Sequence, residues 1–418
     1  MNRRQRMMWG TGLFGMGVVI AACGGRPTAA RPTPPSPRSF SRASAHSSGT
    51  GALAHAPGAS SARPSGGPTP PQAPLALVSL TMVTPQLGWA LTQGGVYRTQ
   101  DGGRRWDNVT PKGYPGLPGA GPLDARGAYP GAQFPSSQEA VVAVPQTQGS
   151  STVVVWATQN GGSSWFRVNL PHAGTPVLAL SMPDPRHGWL ETLLGGAAGS
   201  EAVRIYQTQD AGKTWTLVGG AGLNRAGPGT LPFGGDKIGL AFGSPAHGVA
   251  VGEQAAPGAW VYDTQDGGRT WQPAVVPPAS GAPSLVTCAI PQFFGPAQAV
   301  MAAYLTPVSG GTPHTVVYRT TDGGAHWMPG AALPGRATAV DFISPTVGWA
   351  LDGQLYHTVN GGVTWTAVPT NVQPGGSLDF VSATMGWRYP AVGEPGGFQT
   401  TENGGQTWQP WAPYGITP

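Results

Sequence analysis

The chain has 418 residues, only two cysteines and a formal net charge of +5. Two cysteines exclude a disulfide framework. Eight of the 23 basic residues precede residue 74, where there is no Asp or Glu, so residues 74–418 hold 15 basic and 18 acidic side chains, a net charge of −3. That balance, without a basic stripe interleaved with aromatics, argues against nucleic-acid binding.

Residues 1–22 are predicted to be a lipoprotein signal peptide. Three arginines precede an apolar run, from about Met7 to Ala22, that is short for a membrane-spanning helix. The run ends in Ile-Ala-Ala-Cys23, which resembles a bacterial lipobox and implies cleavage before Cys23 and lipidation of its sulfur. An ordinary secretory signal containing a cysteine is the alternative. Lipidation would anchor the chain on the extracytoplasmic face of a bacterial membrane.

Residues 23–73 are predicted to form a disordered tether. They are rich in Pro, Ser, Ala and Gly and contain one aromatic, Phe40. Such a segment buries too little apolar surface to offset its ordering entropy. A flexible coil of this length spans about 40 Å. Its five arginines permit contact with anionic lipid or wall polymer, although a solvated linker is the simpler interpretation.

Seven copies of one turn motif occur in residues 74–418. Each has a Thr seven residues before a Trp, and an Asp or Asn five residues before it. The Asp or Asn residues are Asp101, Asn160, Asp210, Asp266, Asp322, Asn360 and Asn403. The tryptophans are Trp106, Trp165, Trp215, Trp271, Trp327, Trp365 and Trp408. In the sixth copy, ATAVDFISP, VGWALDG, QLYHTVNGG and VTWTAVPT read as four short strands. Seven such units of about 49 residues predict an all-β fold, a seven-bladed β-propeller with four antiparallel strands per blade.

Each part of the motif has a structural explanation. Glycine permits the positive φ of a hairpin turn. Asp or Asn accepts hydrogen bonds from the turn amides, and the Trp holds the turn against its sheet. A calcium or substrate site is the alternative interpretation. Three copies carry Asn, however, and one carboxylate per turn provides no cluster of oxygen ligands.

The motif resembles the Asp-box (BNR) repeat. With the Gly-Trp pairs at Trp89, Trp189, Trp349 and Trp387, the chain resembles the photosystem II stability/assembly-factor-like propellers. The resemblance implies a non-catalytic role in assembling membrane complexes. Sialidases, xyloglucan hydrolases and sortilin-type receptors share the repeat, so it indicates fold rather than activity. Blades two, four and five lack Gly-Trp, and three boxes carry Asn, so we expect those blades to be less regular.

Loop lengths indicate where function is located. In a four-stranded meander, the turns after strands one and three share one face. We call this the box face, because it carries the seven Asp-box turns. The loops after strand two and the connections between blades share the opposite face, which we call the loop face. These vary in length, from LDGQL to the 25 residues of 107–131. We expect function there, neutral drift of loop length being the alternative.

An enzymatic site is not predicted. The Arg-Ile-Pro signature of sialidases is absent, and Arg98 and Arg319 occupy equivalent repeat positions. A glycosidase needs two facing carboxylates, and the only pair candidates near the variable loops are Glu191, Glu201, Asp124 and Asp236. The equivalent strand residues Asp341 and Asp379 are predicted to be structural. Cys288 is predicted to be a buried small apolar residue.

The sequence therefore predicts a lipid-anchored propeller without catalytic, cofactor-binding or metal-binding residues. The expected partners are the membrane, through lipidated Cys23, and an unknown protein or surface polymer on the loop face. We expect no nucleic-acid partner and a monomer. The alternatives are a carbohydrate-active hydrolase or lectin of the sialidase-like type, and a purely structural wall protein. We expect ring closure by packing of blade one on blade seven, without a strand exchange.

Overall fold

The computed structural model describes residues 75–416, apart from 76, 118–123, 126–127, 148, 198, 223–229, 280–282, 373–374 and 391–396. The predicted signal peptide, Cys23 and the whole predicted tether lie outside these residues. Within them the chain is all-β and forms seven blades of four antiparallel strands, as predicted. No helix in this described part is long and apolar enough to cross a membrane.

Each blade is a meander whose strands follow one another from the centre of the ring outward. Blade one contains β1 (Leu77–Met82), β2 (Gly88–Thr92), β3 (Val96–Thr99) and β4 (Arg105–Asn108). Blade two contains β5 (Ala132–Gln133), β6 (Ala140–Pro145), β7 (Val153–Thr158) and β8 (Phe166–Leu170). Blade three contains β9 (Val177–Ser181), β10 (Gly188–Gly196), β11 (Glu201–Thr208) and β12 (Thr216–Ala221).

The remaining blades repeat this order. Blade four contains β13 (Asp236–Phe242), β14 (Gly248–Glu253), β15 (Trp260–Thr264) and β16 (Gln272–Pro273). In blade five the first strand is divided into β17 (Ser284–Cys288) and β18 (Gln292–Phe293), which both pair with β19 (Ala299–Pro307) and are followed by β20 (His314–Thr320) and β21 (Met328–Leu333). Blade six contains β22 (Ala339–Phe342), β23 (Gly348–Asp352), β24 (Gln354–Thr358) and β25 (Thr366–Ala367). Blade seven contains β26 (Ser377–Phe380), β27 (Gly386–Tyr389), β28 (Gln399–Thr401) and β29 (Gln409–Pro410).

Burial follows the order of strands within a blade. Second and third strands such as β6 and β7 are buried along their whole length, because neighbouring blades cover both faces. Their sequences are accordingly near-continuous apolar runs. The fourth strands β16, β25 and β29 are exposed at the outer edge. Cys288 is buried at the end of β17, as predicted.

Hydrogen bonds confirm the assignment of turns to two faces. In every blade, the amide at the first box glycine, or at Ala211 in blade three, donates to a carbonyl of the turn between strands one and two. The seven pairs are Gly102 with Gln86, Gly161 with Gln138, Ala211 with Arg186, Gly267 with Ala246, Gly323 with Ala297, Gly361 with Thr346 and Gly404 with Thr384, at 2.8–2.9 Å. On the loop face, strand-two loops bond to blade connections, as in Val308 N to Pro283 O (3.1 Å).

Side chains on the first strands connect neighbouring blades. The Asp341 carboxylate on β22 accepts a hydrogen bond from the amide of Phe380 in blade seven (2.6 Å). The Asp379 carboxylate on β26 accepts the equivalent bond from the amide of Met82 in blade one (2.6 Å). Both aspartates therefore have the structural role predicted from their equivalent positions, and the second bond joins the two ends of the ring.

Ring closure differs from the prediction. Blades one and seven each contain their own four strands, so no strand is exchanged within them. The chain nevertheless continues past blade seven into β30 (Tyr414–Ile416), which pairs in parallel with β4 at the outer edge of blade one. Packing alone was therefore the wrong expectation. The edge of β4 offers unpaired backbone groups, and β30 satisfies them.

This closing contact repeats a seam found inside the ring. Val275, which follows the last strand of blade four, bridges in parallel to His326 beside the box of blade five. Tyr414 pairs with Arg105, which has the same position relative to the box tryptophan of blade one. In addition, Leu75 N donates to Pro413 O (2.8 Å). Blade seven thus contacts blade one as blade four contacts blade five.

The long connection between blades one and two extends to the far side of the ring. The carbonyl of Ala125 accepts a hydrogen bond from the amide of Val340 on the first strand of blade six (2.9 Å). Ala125 also packs in the apolar cluster of blades five and six. Asp124, Gln133 and first-strand residues of blades three to five enclose a central cavity of about 270 Å³. The connection therefore occupies part of the central channel.

Candidate functional site

The Asp-box turns form closed hydrogen-bond networks, as blade four illustrates. The Thr264 hydroxyl donates to Asp266 Oδ1 and accepts from the Gly268 amide, both at 2.9 Å. Asp266 Oδ1 also accepts from the Thr270 amide (2.9 Å), and Oδ2 accepts from the Thr270 hydroxyl (2.7 Å). Although partial burial opposes ionisation, these bonds lower the pKa of Asp266. Both oxygens of the Asp266 carboxylate are therefore hydrogen-bonded within their own turn.

The asparagine boxes form the same network. Each Asn Oδ1 accepts from its Thr hydroxyl and from the amide four residues on, at 2.9–3.0 Å. The side-chain amide donates to the nearby hydroxyl in Asn160 to Ser164, Asn360 to Thr364 and Asn403 to Thr407, at 2.8–2.9 Å. The expectation that Asn boxes are less regular is wrong, since a neutral amide supplies the same acceptor. The described residues contain no group of His, Cys, Asp or Glu arranged to hold a metal.

Most box tryptophans cap their own turn. The indole nitrogen donates to the carbonyl of the second box glycine in Trp106, Trp215, Trp271, Trp327 and Trp408, at 2.8–3.1 Å. In blade two, Trp165 instead donates to Val109 O (2.8 Å), in the segment that leaves blade one. The indole nitrogen of Trp365 is buried without a hydrogen bond. These contacts hold the box turns and the seams between blades.

The repeat-position arginines do not converge. Arg98 Nε donates to Ser137 O (2.8 Å), and Arg319 Nη1 donates to Asn360 O (3.3 Å). Each guanidinium donates to the backbone of the next blade, and the two arginines lie at different seams of the ring. They therefore do not form the arginine cluster of a sialidase.

Glu191 is a buried carboxyl between blades three and four. Its side chain on β10 is fully buried, and neither carboxyl oxygen has a hydrogen-bond partner. Burial raises the pKa of Glu191 to about 8, with the Lys237 ammonium opposing the shift and the Glu201 carboxylate adding to it. The group is therefore mostly protonated at neutral pH. A general acid must contact its substrate, and Glu191 is enclosed by protein.

Three further carboxylates lie beside Glu191 at the loop face. Glu201 Oε2 accepts a hydrogen bond from the Lys237 amide (2.6 Å). Asp236 is directly opposite Glu253 in the β13–β14 ladder. Burial, Asp236 and Glu253 raise the pKa of Glu201, while the Lys237 amide and ammonium oppose the shift. We call Glu201, Asp236 and Glu253 the acidic strip.

Lys237 places its charge beside the acidic strip and lowers the pKa of Glu201 and of Asp236. Its ammonium donates to the carbonyls of Phe233 (2.7 Å), Gly234 (3.1 Å) and Gly235 (2.7 Å). The side chain is 4% exposed and lies over the Trp260 ring, with Nζ 5.1 Å from the ring centroid. All three ammonium protons are thus used within the connection between blades three and four.

The fourth pair candidate, Asp124, lies elsewhere. Its carboxylate accepts the amide of Ala128 (2.8 Å) within the connection that enters the central channel. The structure therefore brings Glu191, Glu201 and Asp236 together and separates Asp124 from them. Glu191 is enclosed and Glu201 is bonded to backbone, whereas glycoside hydrolysis requires two carboxyl groups that face one accessible cleft.

An apolar cavity of about 630 Å³ opens between blades four and five on the loop face. Its walls come from the strand-two loop of blade four, the connection between the two blades, and β17, β19 and β20. Lining residues are Pro257, Gly258, Ala259, Val276, Pro277, Pro278, Ala279, Pro283, Ser284, Val286, Leu305 and Tyr318. Tyr318 is the only ionisable group among these described residues. Its hydroxyl donates to Pro277 O (3.0 Å), and burial raises its pKa to about 12.

Sequence reasoning placed function on this face but missed the cavity. The prolines of VVPPASGAP, residues 275–283, are the visible signal, since consecutive prolines hold a chain extended and leave few backbone donors. Tyr318 lies nine residues before the box tryptophan Trp327, a position at which six of the seven repeats have an aromatic residue, so nothing in the sequence sets it apart. The fold brings these segments together from four separate parts of the chain.

No protein-family model and no curated protein matches the chain. Among solved structures, it is similar to a GH74 enzyme from Niastella koreensis, with 14% identity and a TM-score of 0.52, over 81% of this chain and 54% of the enzyme. The chain thus spans about half the length of that enzyme. YCF48 from Cyanidioschyzon merolae (17%, TM-score 0.46, 80% of this chain and 96% of that one) and YCF48 bound to D1 peptide (15%, 0.44, 80% and 92%) are also similar. At these identities the likeness shows a β-propeller fold alone.

Proposed function

We propose that this propeller is a non-catalytic binding protein that recognises a protein or surface polymer with its loop face. One observation supports the proposal above the others. The 630 Å³ cavity on that face is apolar, and its single ionisable group, Tyr318, is bonded to Pro277. A concave apolar surface whose described lining has no ionisable group other than Tyr318 favours binding over acid–base chemistry.

The proposal includes a membrane address. The arginines, the apolar run and the Ile-Ala-Ala-Cys23 sequence resemble those of a lipoprotein signal, and residues 24–73 would supply a tether of about 40 Å. Lipidated Cys23 would hold the propeller at the extracytoplasmic face of a bacterial membrane. The Asp-box and Gly-Trp motifs resemble assembly-factor-like propellers, which makes the assembly of membrane complexes the specific role that we propose.

The alternative is a carbohydrate-active hydrolase, and one observation favours it. A general acid for glycoside hydrolysis needs a raised pKa, and Glu191 has one of about 8 beside a second carboxylate, Glu201. Glu191 is fully buried, however. Hydrolysis of xyloglucan or another polysaccharide, lost in both Glu191→Gln and Glu201→Gln variants, would establish the alternative over our proposal.

Site-specific photo-cross-linking in intact cells tests the proposed binding face. Val308 is 52% exposed on the loop face, and Val359 is 66% exposed on the box face, so the two form a matched pair. With a benzophenone amino acid at either position, we expect a discrete cross-linked product from position 308 and none from position 359. Products from position 359 alone, or from neither position, would contradict the proposal.

A further inference from the structure

The acidic strip has an unfavourable arrangement of charge. Asp236 and Glu253 are cross-strand neighbours, and like charges placed directly opposite destabilise a β-ladder. Glu201 is held next to them by its bond to the Lys237 amide (2.6 Å). Glu253 is exposed, and the other two are partly exposed, so all three are accessible from the loop face.

Among the described residues, one cation acts on the carboxylates of this strip. Lys237 is the only cation that lowers the pKa of Glu201 or Asp236 within the described residues, and burial and its three carbonyl partners confine its ammonium. Glu253 accepts a hydrogen bond from the neutral hydroxyl of Thr287 (2.8 Å). A negative surface of this kind gains stability when an external cation approaches it.

The strip adjoins the apolar cavity. Glu253 ends β14 and leads directly into the loop that contributes Pro257 and Gly258 to the cavity wall. Glu253 accepts its hydrogen bond from the hydroxyl of Thr287 on β17, and Ser284 and Val286 of the same strand line the cavity. Backbone contacts join the two walls, since Gly258 N donates to Ser284 O (3.0 Å). Negative charge and apolar surface therefore lie side by side.

We propose that this surface docks an extended segment of a partner polypeptide in which Lys or Arg residues flank apolar ones. The apolar side chains would enter the cavity, and the cations would lie against Asp236 and Glu253. This inference rests on the proposed binding function of the loop face and specifies the chemistry of the partner. Charge complementarity favours a segment with basic residues, and the apolar lining of the cavity favours apolar residues next to them in that segment.

Fluorescence anisotropy of the full chain with three labelled peptides tests the proposal. The first probe is a ten-residue peptide of alternating Lys, Leu and Pro. The second replaces each Lys with Glu, and the third replaces each Leu with Ser. We expect saturable binding of the first only, weakened when the salt concentration is raised from about 50 to 300 mM because screening reduces attraction between exposed charges. Equal binding of the Glu peptide would overturn the inference.

Variants connect binding to these residues. Asp236→Asn and Glu253→Gln should each lower the affinity for the first peptide by about two- to fivefold, which is the effect of losing one exposed ion pair. Ala259→Trp, which fills the cavity, should weaken it at least about tenfold, as loss of one buried apolar side chain predicts. The matched controls are Glu402→Gln, an exposed acid after the third strand of blade seven, and Ala255→Trp, which is exposed outside the cavity lining. Neither control should change the affinity.

The outcomes separate this inference from the proposed function. If position 308 cross-links to a partner in cells while the peptides do not bind, or bind equally to Asp236→Asn and Glu253→Gln variants, the basic-segment inference is wrong and the binding function stands. If neither assay detects binding, both are wrong. Peptide binding that follows the charge and cavity variants supports the inference.

Discussion

The contact that closes the ring can be tested at one glycine. Gly103, the second box glycine of blade one, has a φ of +84°, and a Cβ atom there would lie 2.6 Å from Cζ2 of Trp411. Gly212, its equivalent in blade three, has a φ of +83°, and a Cβ atom there would lie 3.1 Å from that of Ala157. Alanine at either position meets the same backbone strain, but only Gly103→Ala must displace the indole.

The expected difference follows from these distances. Left-handed backbone costs an alanine about 1–2 kcal/mol, partly offset by a smaller entropy of the unfolded chain. This term is common to both variants and cancels in their comparison. Carbon atoms pack at about 3.5–4.0 Å, so a Cβ at Gly103 overlaps the Trp411 ring by roughly 1 Å. Overpacking of this kind costs about 1–3 kcal/mol, and we expect Gly103→Ala to exceed Gly212→Ala by that amount.

Urea denaturation measures the two losses, and hydrogen exchange locates them. Displacing Trp411 should expose the amides of β4 and β30 in Gly103→Ala, while Gly212→Ala should leave them protected. A double-mutant cycle provides the internal control. In a Trp411→Ala background the clash is absent, so Gly103→Ala should cost no more than Gly212→Ala. Equal costs in the native background, or unchanged exchange at β4, would refute closure through this contact.

Three further predictions concern single residues. The pKa of Glu191 is about 8 in the folded chain and 4.5 for an ordinary glutamate, so the folded chain holds an extra proton between these pH values. The unfolding free energy should therefore fall by several kcal/mol from pH 5 to pH 8. The Glu191→Gln variant should lack this slope, and an equal slope in the variant would contradict the assignment. Because Asn boxes form the same hydrogen bonds, Asp266→Asn should change the unfolding free energy, measured by urea denaturation, by less than about 0.5 kcal/mol, whereas Asp266→Ala should lower it by about 1–2 kcal/mol. Equal losses in the two variants would argue against the hydrogen-bond network. Ala211, at a φ of +62°, is strained, so Ala211→Gly should raise the unfolding free energy by about 0.5–1 kcal/mol; a decrease in the same urea assay would count against the strain.

The repeated features of the fold were predictable because their causes are local. The Thr and Asp or Asn side chains of each turn find their hydrogen-bond partners within the same eight residues, so seven copies indicated seven hairpins. The alternation of strands and turns then fixed which turns share a face. Asp341 and Asp379 were predictable as structural residues because they occupy the same repeat position.

The unrepeated features were not predictable, since they depend on contacts between distant segments. The connection that holds Ala125 against Val340 has no counterpart in the other blades. Nor does a single strand show that β30 will pair with β4, about 310 residues earlier. The enclosure of Glu191 depends on how blade four covers blade three. A carboxylate in a strand pattern reads as exposed until its neighbouring blade is known.

The Asp-box shows why a repeated motif can be conspicuous in sequence and uninformative about function. Its oxygen accepts the same two hydrogen bonds whether it belongs to Asp266 or to Asn160, so the motif does not require a charge. A metal or a cationic substrate would need that charge. Asp236 and Glu253, two carboxylates that no Asp-box uses, lie instead on the loop face, where the sequence of each blade differs from the others. We therefore expect the residues that distinguish one blade from the next to determine binding specificity, whereas the residues that all blades share hold the ring together.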